Sequence, residues 1–243
     1  MNDITLTRNT LKSPILERIQ SFYVVREDLF EGGTKRRILT RYLENKYCNE
    51  IVYASPRFGY GQLAVSMVGN DLGIKNTIFV PNGEKSEVTQ RCEELGSDIQ
   101  LVKMGYQSVL EKRARDYVSE NEVDRIKIPF GFDDELMVDS VCEVASSLNI
   151  ESPPQIWSSI SSGVLSRGLQ KAFPKSKVFG VQVGHKTSDR ERGRAILIES
   201  KYKFTQKCKI SERPPFPSNL YYDSKVWDVM KEQACEGSLF WNL

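Results

Sequence analysis

Residues 51–80 read IVYASPRFGYGQLAVSMVGNDLGIKNTIFV, and their hydrophobic pattern indicates the fold class. The apolar runs Ile51–Ala54 and Thr77–Val80 are typical of buried strands. Between them, residues 62–72 have the period of a helix, which ends at Gly73. A strand, a helix and a second strand of these lengths predict a βαβ unit, in which the two strands are parallel.

The same alternation continues along the chain. Further strands are predicted at 99–102, 155–158 and 177–183, and further helices at 86–95, 108–120, 134–148 and 164–172. Repeated strand–helix units predict an α/β fold, a parallel twisted sheet with helices on both faces. Such sheets bind ligands at the carboxyl ends of their strands. The segment from Lys207 onward is rich in proline and aromatic residues, and we expect it to wrap the domain without extending the sheet.

Composition excludes several classes of protein. The 243 residues carry 34 basic and 32 acidic side chains, so the net charge of +2 favours neither nucleic acid nor a membrane surface. No apolar stretch approaches the roughly 18 residues that span a bilayer, and the N-terminus lacks a signal-peptide layout. The five cysteines are scattered and form no CxxC pair. We therefore expect a cytoplasmic protein with reduced thiols and no metal site.

His185 is the only histidine. A Ser-His-Asp triad, a Cys-His dyad or a histidine-rich metal site would have to use it. Because it directly follows the end of a predicted strand, we interpret it as a polar loop residue. This scarcity of histidine favours chemistry that relies on an organic cofactor.

Residues 23–37, YVVREDLFEGGTKRR, run from a short strand through charged residues and two glycines to Lys35. The glycines allow close backbone approach. A lysine at a helix start, beside further positive charge and partly removed from water, can act as an amine nucleophile. The alternative is a surface lysine after a glycine turn.

Two further loops each follow a predicted strand and precede a predicted helix. They lie in residues 53–64, YASPRFGYGQLA, and residues 157–168, WSSISSGVLSRG. Backbone N–H groups at a helix N-terminus bind anions, and serine hydroxyls add further donors. A plain strand-to-helix turn without a ligand explains either loop as well.

Together these three segments resemble the fold-type II pyridoxal-phosphate enzymes, the family of the tryptophan synthase β chain, threonine dehydratase, cysteine synthase and aminocyclopropane-carboxylate deaminase. Residues 32–37, GGTKRR, resemble the family's lysine motif G-x-x-K-x-R. The two loops resemble its carboxylate loop and its glycine-rich phosphate cup, in the family's chain order. The sequence departs from the pattern at Tyr60, where the family has asparagine, and in the cup, where serines replace most glycines.

The resemblance implies pyridoxal 5′-phosphate as the cofactor, Lys35 as the Schiff-base lysine, and Lys35 and Tyr60 as catalytic residues. It implies that the first loop binds the substrate carboxylate through Ser55, Gly59, Tyr60, Gly61 and Gln62. It implies that the second loop binds the cofactor phosphate and that a late serine faces the pyridine nitrogen. The implied cofactor-binding residues, besides Lys35, are Ser158, Ser159, Ser161, Ser162, Gly163 and Ser218.

The implied function is a lyase-type reaction at Cα of an amino-acid-like substrate, by elimination, deamination or decarboxylation. The resemblance also implies a homodimer, a cofactor domain of residues 1–50 and 125–243, and a smaller inserted α/β domain of residues 51–124. The chain is shorter than typical family members, which suggests a reduced substrate domain and an open site.

Three alternatives stay open. Short chains of this kind resemble bacteriophage enzymes that act, in the cytoplasm of the host, as decarboxylases or lyases on an amino acid attached to thymine in DNA. In that case we expect a set of basic residues to contact phosphates, namely Arg190, Arg192, Arg194, Lys201 and Lys203. The second alternative is a non-catalytic phosphate- or nucleotide-binding module, and the third is a member that binds the cofactor without turnover.

Overall fold

The computed structural model describes residues 13–44, 46–120, 124–184 and 186–243. His185, interpreted above as a loop residue, lies outside the described residues. The described residues divide into two compact units. One unit comprises residues 35–132, and the other comprises residues 13–34 together with residues 133–243.

Both units are built from alternating strands and helices. The strands are β1 (Leu16–Ile19), β2 (Phe22–Arg26), β3 (Glu50–Ala54), β4 (Lys75–Pro81), β5 (Asp98–Val102), β6 (Arg125–Lys127), β7 (Gln155–Ile160), β8 (Lys177–Gln182), β9 (Ile196–Glu199) and β10 (Leu239–Asn242). The helices are α1 (Gly33–Leu43), α2 (Gly61–Leu72), α3 (Glu87–Glu94), α4 (Gln107–Ser119), α5 (Glu135–Ser146), α6 (Val164–Ala172), α7 (Asp189–Arg192) and α8 (Asp223–Gln233).

In the first unit, four strands form a parallel sheet in the order β5-β4-β3-β6. The βαβ unit predicted from residues 51–80 is present as β3, α2 and β4. The side chains of Val52 and Ala54 on β3 join Phe79 on β4 and Leu110 on α4 in a buried cluster. All five residues of β3 are buried, so its continuous apolar pattern reflects burial of the strand on both faces.

In the second unit, six strands form a sheet in the order β1-β2-β10-β7-β8-β9. All neighbours are parallel except β1 and β2, which form an antiparallel hairpin at one edge. One hydrophobic cluster packs α5 and α6 against this sheet, and a second cluster packs α8 against it. The predicted α/β class with helices on both faces is confirmed.

The expectation that the segment after Lys207 does not extend the sheet is wrong. Its last strand, β10, lies between β2 and β7 and is buried at every residue. The proline-rich residues 213–219 form neither helix nor strand. Four residues are too few to show a strand period in the sequence, so the pairing of β10 depends on contacts with distant strands.

No helix in the described part of the chain is both long and apolar enough to cross a membrane.

Candidate functional site

The loop between β7 and α6, which the sequence suggested as a phosphate cup, lies at the carboxyl end of a central strand of the second unit. Gly163 is the N-cap of α6 and has a φ of 75°. A Cβ atom at Gly163 would lie 1.9 Å from the backbone oxygen of Glu191. Only glycine therefore fits this turn, which brings the backbone of the loop against the segment after β8.

The start of α6 provides the donors that this loop can offer. The N-cap residue, Gly163, has no side chain to cap the helix. The first backbone N–H groups of α6 point out of this end of the helix, where the helix dipole is also positive. Ser161 and Ser162 are half-buried at the turn, and Gly163 is buried. The arrangement suits an anion such as a phosphate group.

Ser158 and Ser159, the other predicted members of the cup, are buried within β7. The hydroxyl of Ser159 donates a hydrogen bond of 2.8 Å to Oδ1 of Asp223, the first residue of α8. Ser159 therefore connects β7 to α8, and its single proton is not left for a phosphate oxygen. Oγ of Ser158 is buried with no hydrogen-bond partner among the described residues.

Ser218, predicted to face the pyridine nitrogen, lies in the irregular segment before α8. Its Oγ is buried and has no hydrogen-bond partner within the described structure. A buried hydroxyl without a partner costs about 1–3 kcal/mol, so it marks a position where a ligand group would be favourable.

Asn242, the last residue of β10, is a second such position, and the sequence analysis missed it. Its side-chain nitrogen donates to Oδ1 of Asp28 over 2.7 Å and to the carbonyl oxygen of Pro217 over 2.9 Å. These two acceptors determine the orientation of the amide, because the opposite orientation would place oxygen against oxygen. Oδ1 of Asn242 is then a buried acceptor with no partner among the residues described.

Lys35 is the third residue of α1, as the glycine-then-helix pattern predicted. Its side chain is half-buried, and Nζ lies 5.8 Å from the centre of the ring of Phe132, within the first unit. Phe132 is fully buried and has a φ of 64°, which is unusual for a residue other than glycine. Backbone strain of this kind persists where the surrounding structure enforces it, and it is frequent at functional sites.

The loop between β3 and α2, the predicted carboxylate loop, is held from inside by Gln62. The Gln62 amide is fully buried, and Nε2 donates to the carbonyl oxygen of Gly59 over 2.9 Å. Its Oε1 accepts from Thr89 on α3 over 3.0 Å. Gln62 thus supports the loop and does not present its amide to a ligand. Ser55 is also buried, and its hydroxyl donates to the carbonyl oxygen of Pro56 over 3.0 Å.

The remaining loop residues lie at the start of α2. Gly61 is buried against Tyr53, and a Cβ atom at Gly61 would lie 2.5 Å from the Tyr53 hydroxyl oxygen. Tyr60 is the N-cap, is 44% exposed, and makes no capping hydrogen bond through its side chain within the described structure. Among the five predicted substrate-binding residues, Tyr60 is therefore the exposed one, and the other four are buried.

Most of the basic residues proposed above for contacts with DNA are engaged within the second unit. Arg190 is paired with Asp133, and Arg192 with Asp189. The guanidinium of Arg194 donates to three backbone carbonyl oxygens, those of Gln170, Phe173 and Ser176. Lys201 forms ion pairs with Glu212 and Asp228. The alternation of charges in residues 189–194 thus reflects local ion pairs and contacts around the end of α6.

The sequence matches no protein-family model, and no curated protein matches it. Solved structures do match. A homologue of ACC deaminase has a TM-score of 0.82 at 13% identity, with 96% of this chain and 89% of that chain covered. Threonine deaminase from T.th. has a TM-score of 0.69 at 16% identity, with 95% and 90% covered. Diaminopropionate ammonia lyase from Escherichia coli has a TM-score of 0.68 at 10% identity, with 98% and 84% covered.

These neighbours have the fold-type II architecture, which confirms the resemblance inferred from the three motifs.

Proposed function

We propose that the protein is a pyridoxal-phosphate enzyme that breaks a bond at Cα of an amino-acid-like substrate in a lyase-type reaction. The observation that carries this proposal is the pair of buried polar atoms at Ser218 and Asn242. Neither atom has a protein partner among the described residues, and Pro217, next to Ser218, is hydrogen-bonded to Asn242. A heteroaromatic nitrogen needs one polar partner in an otherwise buried place, so these residues fit the pyridine end of the cofactor.

The phosphate end of the cofactor fits the turn before α6. Gly163 supplies the close backbone approach, and the uncapped N-terminus of α6 supplies N–H donors beside Ser161 and Ser162. Backbone and side-chain donors gathered around one turn suit the terminal oxygens of a phosphate group. The residues present therefore fit both ends of the cofactor.

Pyridoxal phosphate, when bound, supplies an electron sink for a bond broken at Cα of an amino acid. In this chain, Lys35 would hold the cofactor through its amine and, once released by the substrate, would move a proton at Cα. Its half-buried position beside Phe132 limits the number of water molecules around the amine. The start of α2 would bind the substrate carboxylate through backbone N–H groups, with Tyr60 as an additional donor.

The names of the structural neighbours support deamination or elimination as the reaction. They include threonine deaminase and diaminopropionate ammonia lyase. Of the two candidate reactions, we therefore favour loss of ammonia over decarboxylation. A substrate carried on DNA has less support, because Arg190, Arg192 and Arg194 all have intramolecular partners.

The first test is a titration of the full-length protein with pyridoxal phosphate, followed by visible absorption spectroscopy. We expect a yellow band that disappears on addition of borohydride, with the reduced adduct mapped by mass spectrometry to Lys35. Lys35→Ala should abolish the band. Lys112→Ala is the matched control, because Lys112 is an exposed lysine on α4 of the same unit, and it should leave the band unchanged.

Ammonia release from a panel of amino acids then tests the reaction. Activity that requires Lys35 supports the lyase proposal. An adduct spread over surface lysines, or a band that Lys35→Ala retains, would leave only the non-catalytic phosphate-binding module.

A further inference from the structure

A cleft of about 430 Å³ opens on the second unit, in the segment that follows β9. Three of its five lining residues are lysines, and the lining consists of Lys201, Tyr202, Gln206, Lys207 and Lys209. The volume lies in the range of small-molecule sites. The cleft lies outside the cofactor loop between β7 and α6, and the proposed reaction gives it no role.

The polar groups of the lining are oriented so that they present hydrogen-bond donors. Oε1 of Gln206 accepts a hydrogen bond of 2.9 Å from the backbone N–H of Lys203, so the NH₂ group of the amide is the end of this side chain that can donate to a ligand. The hydroxyl oxygen of Tyr202 accepts from the backbone N–H of Lys209 over 3.4 Å, which leaves the hydroxyl proton for another acceptor. A lining of ammonium, amide and hydroxyl donors suits a ligand with several acceptor oxygens.

The charge of the cleft is not balanced internally. Lys201 is neutralised by Glu212 and Asp228, at 2.9 and 2.8 Å. Lys207 and Lys209 are exposed, and neither forms an ion pair with a carboxylate among the described residues. The Lys207 ammonium instead lies 5.7 Å from the ring centre of Tyr221. Two uncompensated positive charges match a phosphate monoester, which carries about −1.5 to −2 charges at neutral pH.

The shape of the cleft is maintained by a buried anchor. Lys225 on α8 is 1% exposed, and its Nζ donates to the carbonyl oxygens of Lys203 and Phe204 over 3.1 and 3.3 Å. Cys208 is also buried, and its backbone N–H donates to the carbonyl oxygen of Leu220 over 2.9 Å. The backbone that carries the lysines is therefore ordered before a ligand arrives, which reduces the entropic cost of binding.

We propose that this cleft binds a phosphate monoester through Lys207, Lys209, the Gln206 amide and the Tyr202 hydroxyl. The group that the cleft recognises is a terminal phosphate, which either a free sugar phosphate or the 5′-phosphorylated end of a nucleic acid could supply. Binding weakens as salt is added, because both lysines are exposed to solvent.

The test is isothermal titration of the full-length protein with glucose 6-phosphate, after the protein has been loaded with pyridoxal phosphate and the excess cofactor, itself a phosphate monoester, has been removed by gel filtration. We expect one saturable site. Lys207→Ala/Lys209→Ala should weaken binding by about tenfold, because two exposed ion pairs that each contribute modestly are lost together. Lys175→Ala/Lys177→Ala is the matched control, because it removes two exposed lysines of the same unit. The affinity of this control variant for glucose 6-phosphate should be that of the wild-type protein.

Two further titrations distinguish the sources of the ligand. Glucose, which lacks the phosphate, should not bind. A short oligonucleotide with a 5′-phosphate should bind more tightly than glucose 6-phosphate if the natural ligand is the end of a nucleic acid, and no more tightly if it is a sugar phosphate. Equal binding by succinate, or equal affinity in both double variants, would overturn the proposal. The absorption band at Lys35 should be identical in all variants, so the outcome is independent of the proposed reaction.

Discussion

The indole N–H of Trp241 donates a hydrogen bond of 2.8 Å to Oγ1 of Thr34, the residue that directly precedes Lys35. Thr34 in turn donates to Oε2 of Glu27 over 3.2 Å. All three residues of this chain of hydrogen bonds are buried. A central strand of the six-stranded sheet therefore holds the start of the helix that carries the proposed cofactor lysine.

Thr34→Val tests this relationship. The substitution keeps the shape of the side chain but leaves the buried Trp241 N–H without its acceptor and removes one donor from the Glu27 carboxyl. We expect the free energy of unfolding, measured by denaturant titration, to fall by about 1–3 kcal/mol. Thr34→Ser retains the hydroxyl and should lose clearly less. Equal stability of the valine and serine variants would mean that the hydroxyl contributes nothing.

Gly163→Ala tests the turn of the phosphate cup. A Cβ atom there meets the Glu191 backbone at 1.9 Å, so the loop has to move. We expect the dissociation constant for pyridoxal phosphate, measured by absorbance, to rise more than about tenfold as phosphate donors are displaced. Gly237→Ala is the control, because Gly237 has a similar φ of 77° and its nearest contact would be an ordinary 3.9 Å.

The Gly237→Ala control also separates the effect of backbone strain from the effect of a displaced phosphate loop. Gly237→Ala should cost about 1–2 kcal/mol in stability, the usual penalty of a left-handed backbone, and should leave cofactor affinity unchanged. A similar loss of affinity in both variants would contradict a specific role for the turn at Gly163.

Ser218→Ala tests whether the partnerless hydroxyl serves a ligand. The buried hydroxyl makes no hydrogen bond to the described residues, so we expect its removal to raise the free energy of unfolding without cofactor, by up to about 1–3 kcal/mol. The dissociation constant for pyridoxal phosphate should rise about five- to tenfold. Ser159→Ala should instead affect stability more than cofactor affinity, because it loses the hydrogen bond that Ser159 donates to Asp223. Unchanged cofactor affinity in Ser218→Ala would remove Ser218 from the site.

Gln62→Leu tests the internal support of the carboxylate loop. The variant loses the hydrogen bonds to Gly59 and Thr89, and we expect a loss of about 1–3 kcal/mol in the free energy of unfolding. Because the loop would be looser, KM for the amino acid should rise more than kcat falls. A lower kcat with unchanged KM and stability would instead indicate direct contact with the reacting atoms.

The pKa of Glu50 predicts how the stability of the first unit changes at acidic pH. Burial raises the pKa of the Glu50 carboxyl, but hydrogen bonds from Thr77, Arg125, Tyr117 and Lys75 outweigh it and leave the pKa below its usual value. A lowered pKa means that the folded state binds fewer protons than the unfolded state between the two pKa values. The contribution to stability is therefore complete above the unfolded pKa of about 4.3 and is lost as the pH falls through the folded pKa.

Glu50→Gln checks this sign. The wild-type protein should lose stability below about pH 5, and the variant should show a shallower dependence over the same range. At pH 7 the variant should be less stable by about 3 kcal/mol, because Arg125 remains buried without its carboxylate. Parallel pH profiles for the two proteins would show that another group controls acid unfolding.

The sequence by itself determined the strands and helices from β3 to β8, apart from β6, and the family that they resemble. Strand and helix periods, the Ser86 cap of α3 and the glycine after α2 depend on residues a few positions apart, so they can be read locally. The same holds for Lys35 at the start of α1 and for Gly163 before α6. These motifs put the candidate functional residues at the starts of helices. The first N–H groups of any helix lack partners within the helix, so this feature does not depend on distant parts of the chain.

Only the tertiary structure decided the position of β10 and, with it, the roles of individual polar side chains. Asn242 meets Asp28 across 214 positions of sequence, and Trp241 meets Thr34 across 207. It also decided that Ser159 and Gln62 bond internally, whereas Ser218 does not. Whether a hydroxyl or amide is free for a ligand depends on which distant group lies within about 3 Å of it, and no local pattern carries that information.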